Sequence, residues 1–480
     1  MNDRKGFGSN FGFLMAAVGS AVGLGNIWGF PNKMGANGGF PFLILYLALA
    51  LCCGVIIMLG ELALGRKTGH GAVGAYQSIS KRFKWLGWLG IAAAALIFSF
   101  YSALGGYCLR YVVVNFGNLI GAEFGTNGVG GADVFQGLLS QPDMSIAFAL
   151  AFMLITMLVV MSGVGGGIER VCSVGMPALF FILIICIIRS CTLPGAADGL
   201  KYMFVPGWAV ANGIIDEAPG FWRVLTAAGG QMFFSLSLGA GVMITYGSYL
   251  DKKQDLGKST MIIVGMDTVV ALMAGLCVIP GRFALDPNGA LGGPELLFIT
   301  MQNVFDKMGP AGPVFGILFY LLVFFAAISS SISMLEVIVA HFCDKAREKG
   351  KGDRRKLYSA IAVVICAALC ALVCADGMGS NHISPAELLG LAGAKLPGWS
   401  TSWLGLFDSV AEGLLMPLGA LLMCLMISWE LKPDVLRQEI LLNGENRPWV
   451  YDFFRLCVKY ITPLCMLMIL YGQISDFFIA

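Results

Sequence analysis

Apolar runs of about 20 residues recur along almost the whole chain, and they constrain its fold more than any other feature. Such a run matches the length of helix that crosses roughly 30 Å of hydrocarbon. A lipid-spanning segment must satisfy its own backbone hydrogen bonds, which favours α-helices over strands here. We therefore predict an all-α polytopic membrane protein with eleven spans, at about 10–35, 40–65, 86–118, 144–162, 170–191, 221–250, 259–281, 311–343, 357–375, 404–429 and 452–476.

The composition excludes several other classes of protein. Charged residues make up 12% of the 480 residues, about half of the roughly 25% that is usual in soluble domains. The net charge of +2 provides no basic field for phosphates, so a nucleic-acid partner is not expected. We find no catalytic constellation, and we do not expect an enzyme. We expect the chain to lie in a lipid bilayer. Residues 1–480 are predicted to form a single transmembrane domain.

Basic residues are distributed unevenly between the predicted loops. Several Lys and Arg residues lie in 66–85 and in 345–356, whereas 119–143 contains neither residue type. Basic loops remain on the cytoplasmic side of a membrane. The pattern therefore predicts a cytoplasmic N-terminus, and eleven spans then place the C-terminus outside.

Glycines interrupt the first and sixth predicted spans at mid-run. The sequences are GSAVGLGN over 19–26 and FSLSLGAG over 234–241. Close packing of small residues is one explanation. The other is a pair of broken helices at corresponding positions of two inverted repeats, as in many secondary transporters. On that reading the repeats cover about 10–191 and 221–429, with an additional span at 452–476. The glycine-rich stretch 163–167 is expected to be a flexible loop between helices.

Carboxylates and hydroxyls also occur inside predicted spans, where they are costly and commonly functional. Glu61, Asp267, Glu336 and Glu412 lie within or at the ends of apolar runs, and three consecutive serines occupy 329–331. Oxygen ligands of this kind suit hard cations.

Four long motifs resemble those of the neurotransmitter:sodium symporter family. They are GSAVGLGNIWGFP (19–31), NGGFPFLILY (37–46), GQMFFSLSLGAGVMITYGSY (230–249) and FFAAISSSISM (324–334). The resemblance runs through the whole chain in order, and it implies a LeuT-type fold of 5+5 inverted repeats, in a bacterial member with eleven spans. Members of this family couple the uptake of amino acids or amines to inward sodium flow. The resemblance also implies a location in the bacterial cytoplasmic membrane.

The resemblance implies two sodium sites and one substrate site. The first sodium site resembles one built by Ala21, Asn26, Ser235 and Asp267, where many members have Asn in place of Asp267. The second resembles one built by Gly19, Val22, Ala326, Ser329 and Ser330. The residues that match the substrate site are Ala21, Gly23, Leu24, Gly25, Ile97, Tyr101, Phe234, Ser235, Ser237, Ala240, Ser330 and Met334.

The predicted gates follow the family on the inner side and depart from it on the outer side. The inner gate resembles an Arg4–Asp344 pair, with Phe7 where a Trp is usual and with Tyr249 beneath. On the outer side Asp408 is present, but Gly29 replaces its usual Arg partner. The usual outer salt bridge is therefore not expected, and Arg110 is an alternative partner that the sequence does not place.

These features predict a sodium-coupled symporter that imports an amino acid by alternating access. Ala240 stands where some relatives have a large side chain, so a hydrophobic or aromatic amino acid is expected. Chloride-dependent relatives bind chloride at a pocket matching Tyr46, Gln231, Ser235, Asp267 and Ala271. The fixed carboxylate of Asp267 is expected to repel chloride. The alternatives are a carrier of a non-amino-acid amine and a sensor or channel-like protein of the same fold.

Overall fold

Long helices account for most of the chain in the computed structural model. It describes residues 6–126, 128–290, 293–352, 354–391, 396–431, 434–442 and 448–478. All the regular elements in these ranges are helical, in agreement with the predicted all-α class. Among the described residues, nine helices are long and apolar enough to cross a membrane.

The first part of the chain contains eight helices up to Cys191. They are α1 (Asn10–Ala21), α2 (Gly25–Ala36), α3 (Phe40–Thr68), α4 (Ala72–Ile79), α5 (Lys81–Ile120), α6 (Gly131–Leu139), α7 (Pro142–Met161) and α8 (Val164–Cys191). The pair α1 and α2 is apolar enough to span when taken together, and it bends by 43° at the break between them. This break coincides with the glycines of the first predicted span.

The main helices of the rest of the described chain follow. They are α9 (Ala196–Phe204), α10 (Trp208–Ala211), α11 (Phe221–Ser235), α12 (Val242–Gly247), α13 (Leu256–Leu285), α14 (Met301–Asp306), α15 (Gly309–Glu348), α16 (Arg355–Gly379), α17 (Pro385–Leu388), α18 (Trp403–Glu430), α19 (Asp434–Leu441) and α20 (Pro448–Ser475). Eight of the ten predicted spans after the first coincide with long helices to within about five residues at each end. The two exceptions are at the fifth and sixth spans.

The sixth predicted span is divided into two short helices. The 15-residue α11 ends at Ser235, and the 6-residue α12 begins at Val242. Ser237, Gly239 and Gly241 between them have φ values of 52°, 79° and 73°, which no α-helix can contain. Neither half is long enough to cross a bilayer alone, so the count of eleven spans stays a prediction.

The expectation of a flexible loop at 163–167 is wrong. Gly163 has a φ of 84° and ends the connection from α7, but Val164–Glu169 is already helical and continues into α8. The glycines therefore extend the fifth predicted span by about one and a half turns. An added Cβ at Gly167 would lie 2.1 Å from the carbonyl oxygen of Val159, so glycine is required at this position because α7 and α8 approach closely there.

The helices pack around the two breaks. α15 lies along α5, and both contact α7 and α16. α3 packs against α11 and α12, while α13 packs against α8 and α9. α1 contacts α8, α13 and α15, so the broken first span runs between these two sets of helices.

Candidate functional site

The two helix breaks face each other at the centre of the molecule. The hydroxyl of Ser237 donates to the carbonyl oxygen of Ser20 at 2.9 Å, and the amide of Gln231 donates to that of Gly25 at 2.6 Å. The Ser20 carbonyl lies in the last turn of α1, where carbonyls lack intrahelical partners, whereas the Gly25 carbonyl also accepts from the Phe30 backbone N–H. The breaks therefore bring free backbone groups and polar side chains together inside an apolar bundle.

Asp267 of α13 lies beside the breaks and is fully buried. Its carboxylate accepts hydrogen bonds from the Asn26 amide at 2.7 Å, from the Ser235 hydroxyl at 3.0 Å and from the Tyr46 hydroxyl at 3.2 Å. The Asn26 side-chain oxygen accepts from the backbone N–H of Gly23 at 3.0 Å. Three of the four residues predicted for the first sodium site are thus joined directly, and the fourth, Ala21, is the last residue of α1.

A second cluster of oxygen atoms joins α1 to the middle of α15. The Ser329 hydroxyl lies 3.4 Å from the Val22 carbonyl oxygen and 3.0 Å from that of Ala326. The Ser330 hydroxyl lies 3.4 Å from the carbonyl oxygen of Gly19. All five residues predicted for the second sodium site therefore meet here. Hydroxyl and carbonyl oxygens are suitable ligands for a hard cation.

The predicted substrate residues meet at the first break. The backbone N–H of Leu24 donates to the Tyr101 hydroxyl at 2.7 Å, and the rings of Tyr101 and Phe234 lie edge to face with centroids 6.3 Å apart. An added Cβ at Gly25 would lie 3.1 Å from the Phe234 ring. These contacts define a buried region between the first break, α5 and α11.

Gly23 cannot carry a side chain in this arrangement. An added Cβ would lie 2.1 Å from the Ser330 hydroxyl and 2.5 Å from that of Tyr101. The break therefore needs glycine at this position because two polar side chains approach its Cα.

The remaining predicted substrate residues are buried around the same region. Ile97 and Met334 each lie one helical turn from a residue already placed there, Tyr101 and Ser330 respectively, and so share its helix face. Ala240 lies in the second break, against Gly90 of α5. The Ser237 hydroxyl is held by Ser20, so it contributes to the joining of the two breaks.

The predicted inner gate is only partly within the described residues. Arg4 lies outside them. The Phe7 ring contacts those of Tyr246 and Tyr249, with centroids 5.7 and 6.2 Å away, and Asp344 accepts a hydrogen bond from the Gly71 backbone at 3.0 Å.

A buried ion pair beside Tyr249 was not predicted from the sequence. Glu336 is fully buried and binds the Arg355 guanidinium through both carboxylate oxygens, at 2.5 and 3.0 Å. The Tyr249 hydroxyl also donates to Glu336, at 2.5 Å. The position of Glu336 inside a predicted span indicated a buried partner. The sequence does not identify that partner as Arg355, because Arg355 is one of several basic residues in 345–356.

Glu61 supports the second break. It is buried in α3 and accepts a hydrogen bond from the Gly239 backbone N–H at 2.7 Å. An added Cβ at Gly239 would lie 2.2 Å from the Met416 carbonyl oxygen. The positive φ of Gly239 and this close approach together require glycine.

Asp408 does not meet Arg110 on the outer side. The Arg110 guanidinium lies over the Phe148 ring, and Arg110 lines a different cavity. Asp408 instead lines a cavity together with Glu412, whose carboxylate pairs with the ammonium of Lys33. The absence of the Arg at 29 therefore does not leave this end of the molecule without an ion pair.

Comparison with known proteins identifies the family. The chain matches the sodium:neurotransmitter symporter family over residues 4–127 and 133–478. This chain belongs to that family.

Similar proteins agree with this assignment. The symporter is 36% identical to an uncharacterised sodium-dependent transporter, YhdH, of Bacillus subtilis, over 97% of each chain. It is 29% identical to another uncharacterised sodium-dependent transporter, from Methanocaldococcus jannaschii, over 99% of this chain and 91% of the relative. The crystal structure of MhsT in complex with L-phenylalanine is similar with a TM-score of 0.83 and 34% identity, over 98% of this chain and 100% of that one.

These findings confirm the predicted fold class and the predicted general activity. The symporter has the fold of MhsT and is a multi-pass, sodium-dependent membrane transporter rather than an enzyme. Its family couples transport to sodium.

Proposed function

We propose that this symporter imports a hydrophobic or aromatic amino acid with two sodium ions, independently of chloride. The observation that carries the proposal is Asp267, a buried carboxylate bound by Asn26, Ser235 and Tyr46 beside the first break. A buried carboxylate is costly without a compensating positive charge. A sodium ion beside it supplies that charge, so the site suits a cation that arrives with the substrate.

The donor atoms of the two clusters support two cation sites. In the first, the Asp267 carboxylate and the Ser235 hydroxyl offer oxygens beside the Asn26 amide, and the Ala21 carbonyl lies at the end of α1. In the second, the hydroxyls of Ser329 and Ser330 face backbone carbonyls of α1 and α15. The second proposed sodium site has only uncharged oxygens, whereas the first contains the Asp267 carboxylate. The two sites therefore differ in charge.

The substrate class is supported by the region between Tyr101 and Phe234. Aromatic and aliphatic side chains surround it, and Ala240, which is buried in the second break, is smaller than the side chain that some relatives have there. The similar transporter MhsT was crystallised with L-phenylalanine. The helical segments α2 and α12 begin at the breaks, and the positive ends of their dipoles favour a substrate carboxylate.

The division of the helices into two groups supports alternating access. We propose that α1, α2, α3, α11, α12 and α13 move as one group around the central site against the remaining helices. Bound sodium would favour the outward-open arrangement. The substrate carboxylate would complete the first sodium site, so closure would require both ligands, which is the origin of coupling.

The location and the internal symmetry belong to the same proposal. Basic residues in 66–85 and 345–356 support a cytoplasmic N-terminus, in a bacterial cytoplasmic membrane. The breaks at the start of 10–191 and of 221–429 support two inverted repeats, with α20 as an additional span.

A thermal-shift screen of the purified symporter tests the substrate class. Twenty amino acids and common amines are compared with and without sodium. We expect the largest sodium-dependent stabilisation from a hydrophobic or aromatic amino acid, because a ligand that binds the folded state raises its stability. Ala240→Phe should reduce stabilisation by large substrates more than by alanine. A best response to glycine or to a non-amino-acid amine would contradict the proposed substrate.

A further inference from the structure

A cavity between α5, α6 and α7 is lined by two opposite charges that do not pair. It measures about 260 Å³, and Arg110 of α5 and Asp133 of α6 both line it. Neither side chain forms an ion pair or a hydrogen bond with any residue that the structure describes. Because the two groups share one cavity without meeting, a ligand that carries both an anionic and a cationic group can bridge them.

Arg110 lies near the edge of the membrane hydrocarbon. It follows Tyr101 on α5 by nine residues, and Tyr101 contacts the first break at the centre of the molecule. At about 1.5 Å per residue this spacing is about 13 Å, close to half of the roughly 30 Å thickness of the hydrocarbon. The guanidinium therefore lies at the depth of lipid headgroups, on the outer side in the proposed orientation.

The Arg110 guanidinium needs hydrogen-bond acceptors at this depth. Ionisable groups inside membrane-spanning segments are costly and normally have partners. The guanidinium lies over the Phe148 ring of α7, 6.0 Å from its centroid. A ring face attracts a cation, but it does not provide oxygen acceptors for the five N–H groups of arginine. Phosphate oxygens suit these donors well.

The surface of α7 below the cavity is apolar and exposed. Leu150, Leu154 and Leu158 are 43%, 50% and 55% exposed, and they recur at one-turn intervals along one face of the helix. Such a stripe on a membrane-spanning helix contacts acyl chains. A ligand with a zwitterionic head and apolar tails would therefore use both the charged cavity and the stripe, whereas a free amino acid would use only the cavity.

We propose that this cavity binds the headgroup of a zwitterionic phospholipid of the phosphatidylethanolamine type. Its phosphate would bind the Arg110 guanidinium, and its ammonium group would pair with the exposed carboxylate of Asp133. The acyl chains would lie along α7. Phosphatidylglycerol has a phosphate but no ammonium group, so it would satisfy Arg110 alone. The cavity would therefore prefer phosphatidylethanolamine to phosphatidylglycerol.

The test is native mass spectrometry of the purified, delipidated symporter with equal amounts of these two lipids. We expect the unmodified protein to retain phosphatidylethanolamine preferentially. Arg110→Gln should weaken retention of both lipids by about 10-fold or more, the effect of losing a hydrogen bond between charged groups. Asp133→Asn should weaken retention of phosphatidylethanolamine alone. Asp133→Lys should reverse the preference, because lysine repels the ammonium group and attracts phosphate. General loosening of the structure would not produce such a reversal.

The matched control is Arg189→Gln. The Arg189 guanidinium also lies 6.0 Å from a ring centroid, that of Phe315, but the described residues that line its cavity include no carboxylate. This variant should keep the lipid preference of the unmodified protein. Equal retention of the two lipids by the unmodified protein, or an unchanged preference in both Asp133 variants, would overturn the proposal. If Arg110→Gln fails to fold, the Asp133 variants decide the question.

A competition experiment separates a lipid headgroup from a free amino acid. Soluble glycerophosphoethanolamine carries the same phosphate and ammonium groups, so it should displace bound phosphatidylethanolamine at a lower concentration than L-phenylalanine does. The opposite order would assign the cavity to a free amino acid and overturn the lipid assignment. Neither measurement requires transport, so their failure would leave the proposed function untouched.

Discussion

At the scale of single residues, the oxygen atoms around α1 and α15 determine how sodium would bind. Asn26→Ala and Ser329→Ala each remove one side-chain oxygen from a different proposed site. A lost buried polar partner costs about 1–3 kcal/mol, so each variant should raise the sodium concentration needed for binding by about 5- to 150-fold. The measurement is substrate binding titrated with sodium.

Ser331→Ala is the matched control for these two variants. The Ser331 hydroxyl lies on the same helix but donates to the Ile328 carbonyl and contacts Thr156, away from the break. Its sodium dependence should be that of the unmodified protein. Equal sodium dependence in Asn26→Ala, Ser329→Ala and the control would refute both proposed sites.

The carboxylate of Asp267 should also determine the response to chloride. Tyr46 and Ser235 bind the Asp267 carboxylate, Gln231 lies one turn before Ser235 on α11, and Ala271 lies one turn further along α13. Uptake by the unmodified symporter should be the same in chloride and in gluconate. The double variant Asp267→Asn/Ala271→Ser removes the charge and adds a hydroxyl, and chloride should stimulate it. A chloride-dependent unmodified protein would show that this assignment is wrong.

At the scale of helices, the Glu336–Arg355 pair links α15 to α16. Arg355→Met would leave a fully buried carboxylate without its partner, and such a change costs about 3–5 kcal/mol. The double variant Arg355→Met/Glu336→Leu should lose less stability, because it removes both charges. Thermal unfolding of the purified proteins in detergent measures the difference.

The exposed Asp198–Lys201 pair provides the comparison for this prediction. Its side chains are about half exposed and lie 3.1 Å apart, so Lys201→Met should cost about 0–1 kcal/mol. A double variant less stable than Arg355→Met would contradict the explanation that the cost comes from an unpaired buried charge.

The sequence predicts most of the helices but few of the contacts between them. The apolar runs predict helices such as α3, α5 and α15, because a helix needs about 20 apolar residues to cross the hydrocarbon. The glycines also predict where the first and sixth spans break. Their pattern does not reveal that Ser237 adopts a positive φ, since that conformation depends on its hydroxyl binding Ser20 across the two breaks.

Ion pairs between distant residues explain the rest of the difference between sequence and structure. The resemblance supplied the residues that meet around Asp267 and Ser329, because they occur in long family motifs. Lys33 and Glu412 lie outside any local pattern that joins them, and their contact depends on how α2 and α18 approach. The replacement at Gly29 predicted the loss of one ion pair, whereas the pair between Lys33 and Glu412 is visible only in the folded chain.

At the scale of the whole molecule, the distribution of charge predicts its orientation. Single cysteines at 133 and 349 in a cysteine-depleted background should react with impermeant maleimides on opposite sides of the membrane. Both positions are exposed, so burial does not prevent the reaction. Position 133 should react from outside and position 349 from the cytoplasm. Reaction of position 133 from the cytoplasmic side alone would contradict the proposed orientation.

Sodium-driven accumulation is the most direct test of the account as a whole. The purified symporter is reconstituted into proteoliposomes, and uptake of radiolabelled L-phenylalanine is measured with sodium imposed outside only. We predict accumulation above the external concentration, lost when sodium is equal on both sides or replaced by potassium. Asp267→Ala, which removes the buried carboxylate, should abolish it. Sodium-dependent binding without accumulation, or flux that only equalises the two concentrations, would contradict coupled symport.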